Sequence, residues 1–351
     1  MTLDKTIKEK ISENGPIPFS QFMEIALYEP QLGFYATGGA GRKRDFITSP
    51  ESGPLFGKLV AKAIDQWWVQ LGSPKHFVFL ESGAGSGALA RSILRSKLNC
   101  RDGLEYVAVE TSENQRNNQP PEIKSIAEMP LQIDNGIIFA NELLDNLPFD
   151  IYESTDGGGW NEVRVGIQNG KLMEVLRTPM GNQPEFSLEK SGIRVPLQKA
   201  AQEWLEKAFS TLKNGRVVVV DYAVDQFPVP LEKKWLRTYR QHQQTSHPLL
   251  NPGTKDITCD VDISQLGHVR TPTSIQTQRE WLSGLGIERL VSEGKKYWLE
   301  NAHKPDLVAL EARSRITESE ALLDIEGLGG FKVIEWEVKS SPQIAQCNTS
   351  E

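Results

Sequence analysis

The chain has little cysteine and little histidine. Its three cysteines, Cys100, Cys259 and Cys347, stand far apart, odd in number and with no C-x-x-C pair. That excludes a disulfide framework and a cysteine zinc cluster. The five histidines form no H-E-x-x-H motif, and the nearest pair, His242 and His247, sits in a loop-like Gln/Thr/Ser/Pro stretch. No metal site is expected. No apolar run approaches the ~18 residues of a membrane helix, so no membrane insertion is expected. The N-terminal MTLDKTIKEKISENG is charged and lacks an apolar signal core. With unpaired cysteines, this leads to the expectation of a cytoplasmic protein. Positive charge is in deficit as well. Lys and Arg number 39 against 46 Asp and Glu, a net charge of −7. General nucleic-acid binding, which needs phosphates neutralised by a basic surface, is therefore not expected. The run Arg42-Lys43-Arg44 reads as a solvated loop.

What is present fits a globular protein: 38% of the 351 residues are apolar and 24% charged. Such a length can bury a full core in one large domain or two modest ones. Leu3, Ile7 and Ile11 fall four apart, as on one face of a helix, and Pro16-Ile17-Pro18 breaks it. Ser20 is placed to cap a second helix. A loop with Tyr28, Phe34, Tyr35 and several glycines follows; it either covers a site or tucks its aromatics beneath itself. Ser49 and Pro50 read as the N-cap and first turn of a helix running to about Leu71.

Short apolar runs then alternate with helical stretches. They are 76–81, 106–110, 136–140 and 217–220, with a helix at 88–94 after the first. Alternation of this kind predicts a doubly wound parallel sheet. Two long stretches, about 151–212 and 222–275, are insertions after the fourth and fifth core strands. The first holds a hairpin marked by Asn169-Gly170 and a helix from about Pro196 to Leu212. Phe331–Trp336 reads as a last strand and 338–351 as a frayed tail. The expected organisation is a helical cover region at 1–72 and a core at 73–337.

Strand, Glu81, Gly83-x-Gly85-x-Gly87 and helix form the most informative stretch. Glycines at the mouth of a parallel sheet let a ligand approach the main chain. The alternative is an ordinary strand-to-helix turn. Glu110 closes the second strand, where nucleotide folds place a ribose-binding acid. GAGSGALA lacks the third glycine of G-x-G-x-x-G, and Glu81 would repel a pyrophosphate. The pattern favours S-adenosylmethionine over a nicotinamide dinucleotide. Asn141, Glu142 and Asp145 cluster at the carboxyl end of the next strand, and Asp221 ends the one after. They either surround a ligand or cap a helix and face water.

At these motifs the chain resembles the MidA-type methyltransferase family, which includes mitochondrial complex I assembly-factor arginine methyltransferases. The similarity runs nearly the full length. It is carried by Tyr28-x-Pro30-x-x-Gly33-Phe34-Tyr35, Asp45-Phe46-Ile47-Thr48-Ser49-Pro50-Glu51, the glycine motif and Val109-Glu110-Thr111-Ser112. Asn141-Glu142-Leu143-Leu144-Asp145-Asn146-Leu147-Pro148 is the most specific, with Leu236–His242, Asp256–Asp262 and Gly327–Val333 adding to it. Departures are Ala84 for a proline, Ser86 for a basic residue, and Arg44 and Ala223 for glycines.

The resemblance implies an α/β, Rossmann-like class I methyltransferase sheet, S-adenosylmethionine as cofactor, and an arginine of a partner protein as acceptor; a homodimer is a further expectation. It implies cofactor contacts at Glu81, Gly83, Gly85, Gly87, Glu110, Thr111 and Asn141. A guanidinium stays protonated at neutral pH, so its site should carry carboxylates that grip it. Glu142 and Asp145 are the first candidates for catalysis, with Asp221 third; Phe34, Tyr35 and His242 are expected on the acceptor side. A non-catalytic assembly scaffold and a small-molecule methyltransferase are the alternatives.

Overall fold

A computed structural model describes residues 2–36, 48–230, 232–240, 243–244 and 247–339. Arg42-Lys43-Arg44, His242, Cys347 and most of the expected tail lie outside the described residues.

Seven strands form the central sheet: β1 (Phe77–Ser82), β2 (Leu104–Val109), β3 (Lys124–Ile126), β4 (Ile133–Asn141), β5 (Leu212–Asp221), β6 (Ser274–Thr277) and β7 (Lys332–Val338). Their spatial order is β6-β7-β5-β4-β1-β2-β3. The five strands from β5 to β3 run parallel, with Leu80 opposite both Val107 and Ile138, and β7 is antiparallel to β5 and β6. The order reverses at β1 and β4, which opens a crevice outside their carboxyl ends. Continuous apolar runs are what a sheet covered on both faces needs. Phe77, Phe79, Ile137 and Phe139 face helices Pro54–Gln70 and Ala88–Leu94. Leu80, Ile138, Val217, Val219 and Trp336 face helix Lys199–Thr211.

A second, antiparallel sheet comes from the first insertion. Asp150–Ser154, Trp160–Gln168, Lys171–Arg177 and Arg194–Leu197 are joined by Ile17–Pro18 from the N-terminus. Asn169 and Gly170 both have positive φ, 51° and 71°, as a two-residue hairpin turn requires. Ile7, Phe19 and Phe22 pack with Phe149, Ile151 and Val163, so residues 3–28 and the insertion share one core. Helix Pro54–Gln70, also within the expected cover region, belongs instead to the main sheet. A small third sheet pairs Leu236–Arg240 with Asp256–Cys259, Arg237 opposite Thr258.

Several local signals resolve differently. Helix Phe19–Tyr28 starts one residue before Ser20, whose N–H donates to Asp150 Oδ1 at 3.1 Å. Ser49–Glu51 is a 3-10 turn, separated by Gly53 from Pro54–Gln70. That helix is capped from afar, Leu55 N–H donating to Glu318 Oε2 at 2.8 Å. Ser49 is buried instead, its hydroxyl donating to Gln278 Oε1 at 2.9 Å. The helix expected from Pro196 begins at Lys199, because Arg194–Leu197 is a strand. Among the described residues no helix is long and apolar enough to cross a membrane.

Candidate active site

A cavity of about 510 Å³ opens at the carboxyl ends of β1, β2, β3 and β4. Its floor is the loop after β1. Gly83, Gly85 and Gly87 all have positive φ, but only Gly85 leaves room. A Cβ on Gly83 would lie 2.9 Å from Leu143 Cδ1, and one on Gly87 2.7 Å from Pro120 Cδ; one on Gly85 would meet nothing within 4 Å. Gly85 lines the cavity, so the space its missing side chain leaves is space a ligand can take.

Glu110 braces this loop. Its Oε2 accepts from Gly85 N–H at 2.9 Å and its Oε1 from Ser112 N–H at 2.8 Å. Burial pushes its carboxyl up and those two N–H groups pull it back. A carboxylate accepts about four hydrogen bonds, so Glu110 keeps capacity for ligand hydroxyls. Glu81 accepts the Tyr106 hydroxyl, and burial pushes its carboxyl up to about 8. Trp204 donates its indole N–H to Ser82 Oγ at 3.0 Å. With Met129, Leu143 and Leu147 it makes an apolar end to the cavity.

The opposite wall is the turn after β4. Glu142 has φ 51°, a costly conformation for a non-glycine residue. Asp221 underpins the turn: its Oδ2 accepts from the N–H groups of Leu143 and Leu144 at 3.2 and 2.9 Å, and its Oδ1 from Tyr222 N–H at 2.9 Å. Glu142 Oε1 accepts from Ser49 N–H at 3.1 Å and Asn141 Nδ2 at 2.9 Å. Burial, and then Asp145, push the Glu142 carboxyl up to about 8. Asn141 Oδ1 is buried without a hydrogen-bond partner. Tyr28 and Tyr35, ring centroids 5.3 Å apart, close this side. The Tyr35 hydroxyl donates to Asp256 Oδ1 at 3.0 Å, and Asn146 Nδ2 donates to the same carboxylate. Burial pushes Asp256 up to about 7.

Glu81, Gly83, Gly85, Glu110, Thr111, Asn141, Glu142 and Tyr35 thus line one cavity. Four expected residues do not. Gly87 is the αL residue ahead of helix Ala88–Leu94. Phe34 is buried in the N-terminal core. Asp221 is fully buried, its carboxylate spent on backbone amides. Asp145 is 4% exposed and sits behind the turn, Oδ2 accepting from the Thr258 hydroxyl at 2.7 Å. His242 lies outside the described residues. Ala223 is off the cavity and has no positive φ. Trp204 and Asn146 also line the cavity, with Asp256 behind Tyr35 and Asn146, and none of the three is a candidate from sequence. The Asp256–Asp262 motif carried the signal for Asp256; for Trp204 there was none.

Residues 59–280 match the family described as "Putative S-adenosyl-L-methionine-dependent methyltransferase". The chain belongs to this family. It is an S-adenosylmethionine-dependent methyltransferase. It is 27% identical to "Protein arginine methyltransferase NDUFAF7 homolog, mitochondrial" of Drosophila melanogaster, over 84% of this chain and 76% of that protein. It is 28% identical to mouse "Protein arginine methyltransferase NDUFAF7, mitochondrial", over 80% and 73%. A crystal structure from Burkholderia thailandensis, bound to S-adenosyl-homocysteine, shares the fold with a TM-score of 0.80 at 24% identity, over 95% of this chain and 91% of that one. The expectation of a cytoplasmic protein is overturned: these relatives are named as mitochondrial. An N-terminus without a signal core and an odd cysteine count do not separate two reducing compartments.

The methyltransferase's own residues fit the donor. The open space at Gly85, the remaining acceptor capacity of Glu110 and the unpartnered Asn141 Oδ1 suit a nucleoside with an amino-acid arm. Glu142, whose two hydrogen-bond partners among the described residues are both neutral, suits a cation.

Proposed function

We propose that the chain methylates an arginine side chain of a partner protein. One observation carries the reading: Glu142 puts a half-buried carboxyl on the cavity wall, with Asp145, Asp221 and Asp256 buried behind it. Burying that much acid is costly unless a cation completes the site. The arginine methyltransferase names of the relatives support the same acceptor.

S-adenosylmethionine, when bound, supplies a methyl group on a sulfonium. Transfer to a protonated guanidinium forms one N–C bond, breaks one S–C bond and releases one proton, because the methylated guanidinium is again a cation. Glu142 is the group to grip the guanidinium and accept that proton. Asp221 holds the turn that aims it, and Asp145 adds negative charge from behind. Gly83, Gly85, Glu81, Glu110, Thr111 and Asn141 hold the donor, and Tyr35 closes the acceptor side. The chain's contribution is mostly alignment, since the donor is already a strong electrophile.

The test is to incubate the purified protein with methyl-labelled donor and a cell lysate and to locate the label by mass spectrometry. Label on guanidinium nitrogens of protein arginines is expected. Label only on small molecules or on other side chains contradicts the reading.

A further inference from the structure

We propose that Arg237 is a positioning residue for methyl transfer, its buried guanidinium holding a negative charge on Asp145 behind Glu142. This rests on the arginine-methylation reading and adds to it the group that sets the charge of the acceptor site.

Arg237 and Thr258 are directly paired across two antiparallel strands. Paired residues point to the same face of a sheet, with side chains in reach of one another. Thr258 donates its hydroxyl to Asp145 Oδ2 at 2.7 Å, and Cys259 N–H donates to the Asp145 carbonyl at 3.0 Å. The pairing therefore turns Arg237 towards the same acid. Its side chain is 11% exposed. Nη1 donates to Asp260 Oδ1 at 2.6 Å, and the guanidinium lies 4.8 Å from the centre of the Tyr222 ring. Nη1 also donates to the Lys234 carbonyl at 3.3 Å, and these three anchors fix the plane while leaving donors unspent. Arg237 Nε and Nη2 and Asp145 Oδ1 are all buried without hydrogen-bond partners. Surplus donors and a surplus acceptor thus belong to the two opposite charges of one cluster.

The other charged groups around Asp145 are mostly acids. Glu142 and Asp221 come from its own side of the fold, Asp256 and Asp260 from the paired strand and its end. Tyr28, Tyr35, Tyr222, Tyr239 and Cys259 also feel its charge. Lys233 is engaged with Asp260 at 2.9 Å. Among the described residues Arg237 is the cation that opposes the rise of the Asp145 carboxyl. Burial pushes the Asp145 carboxyl up, and Thr258, Arg237 and the adjoining Asp221 carboxyl oppose it, while Glu142 and Asp256 are pushed up to about 8 and 7. Arg237 thus favours a charge on Asp145, in the carboxyl pair it forms with Asp221, while the ligand-free Glu142 keeps its proton at neutral pH. The incoming guanidinium meets a standing negative charge, and Glu142 gives up its proton as the cation arrives.

The test follows Asp145 directly. Carboxyl-carbon NMR on protein labelled at aspartate Cγ, with the Asp145 resonance assigned by its loss in Asp145→Asn, gives a titration midpoint without any turnover. Arg237→Gln should raise that midpoint by roughly one pH unit or more, the size of a lost neighbouring charge. Arg237→Lys should hold it near the wild-type value. The acid limb of the methylation pH–rate profile should move with the midpoint in Gln and stay in Lys. Arg237→Met, which fills the volume without a polar group, serves where Gln does not fold. An unmoved midpoint in a folded neutral variant overturns the proposal, as does a moved midpoint with an unmoved acid limb. Loss of folding in both neutral variants would make Arg237 purely structural and overturn it too. A wild-type protein that methylates no arginine removes the functional reading alone, since the NMR midpoint still reports on the pair.

Discussion

Ser49 donates its backbone N–H to the Glu142 carboxylate at 3.1 Å, bridging 93 positions of sequence. The bond ties the 3-10 turn at Ser49–Glu51 to the strained turn at the end of β4. Among the described residues the acid facing the cavity is thus held by two neutral donors, Ser49 and Asn141, and no cation.

Binding should therefore move protons. With its carboxyl up at about 8, Glu142 is largely protonated at pH 7 without ligand. A sulfonium brought beside it lowers its proton affinity; the neutral sulfur of S-adenosylhomocysteine does not. Calorimetry at pH 7 in buffers of different ionisation enthalpy should show more protons released by S-adenosylmethionine than by S-adenosylhomocysteine. Equal release from the two would place the sulfonium away from Glu142.

Stability of the ligand-free protein should fall as pH rises. Glu81, Glu142 and Asp256 hold their protons up to about 8, 8 and 7, because burial disfavours the charged form. Unfolded, such carboxyls titrate near 4. The folded state then binds more protons than the unfolded one between about pH 4 and 8. These groups stabilise fully below pH 4 and lose that contribution as pH rises through 7 and 8. Thermal unfolding at constant ionic strength should give a Tm that decreases from pH 5 to 8, less steeply in Glu81→Gln. A Tm that climbs across this window contradicts the assignment.

The glycines of the loop should separate binding from folding. Each sits at positive φ, so alanine costs roughly 1–2 kcal/mol of strain at any of them. At Gly85 the new methyl enters ligand space; at Gly87 it meets Pro120. Gly85→Ala should weaken donor binding beyond its effect on Tm, and Gly87→Ala should lower Tm more. The reverse order would mean that Gly85 is only a turn. Valine is a poorer probe than alanine, since a β-branched side chain is out of place at φ 51°.

Local patterns were readable and distant partners were not. The parallel core followed from its apolar runs, the hairpin from Asn169-Gly170, and the cavity floor from strand, Glu81 and spaced glycines. Each depends on neighbours within a few residues. The cap on Leu55 comes from Glu318, 263 positions away, a remote carboxylate in the role that the local pattern assigns to Ser49. Glu142, Asp145 and Asp221 all lie at one sheet edge, and the sequence ranks Asp145 beside Glu142 with Asp221 third. Which carboxylate faces outward depends on backbone amides and on Thr258, 113 residues beyond Asp145. Phe34 and Tyr35 are adjacent, yet one is core and the other cavity wall. Trp204 reaches the site only because a helix from the first insertion packs on the sheet beside Ser82.

The most direct measurement is the methylation rate of Glu142→Gln at saturating donor, against wild type. The exchange keeps the shape and removes the charge. Loss of a charge-assisted hydrogen bond to the guanidinium should cost about 1.5–3 kcal/mol, a rate roughly tenfold to over a hundredfold lower, in a protein that still folds and still binds S-adenosylhomocysteine. Asp145→Asn is the less clean probe, because Thr258 and Arg237 are built around that carboxylate. A Glu142→Gln protein that methylates arginine at the wild-type rate would contradict the account.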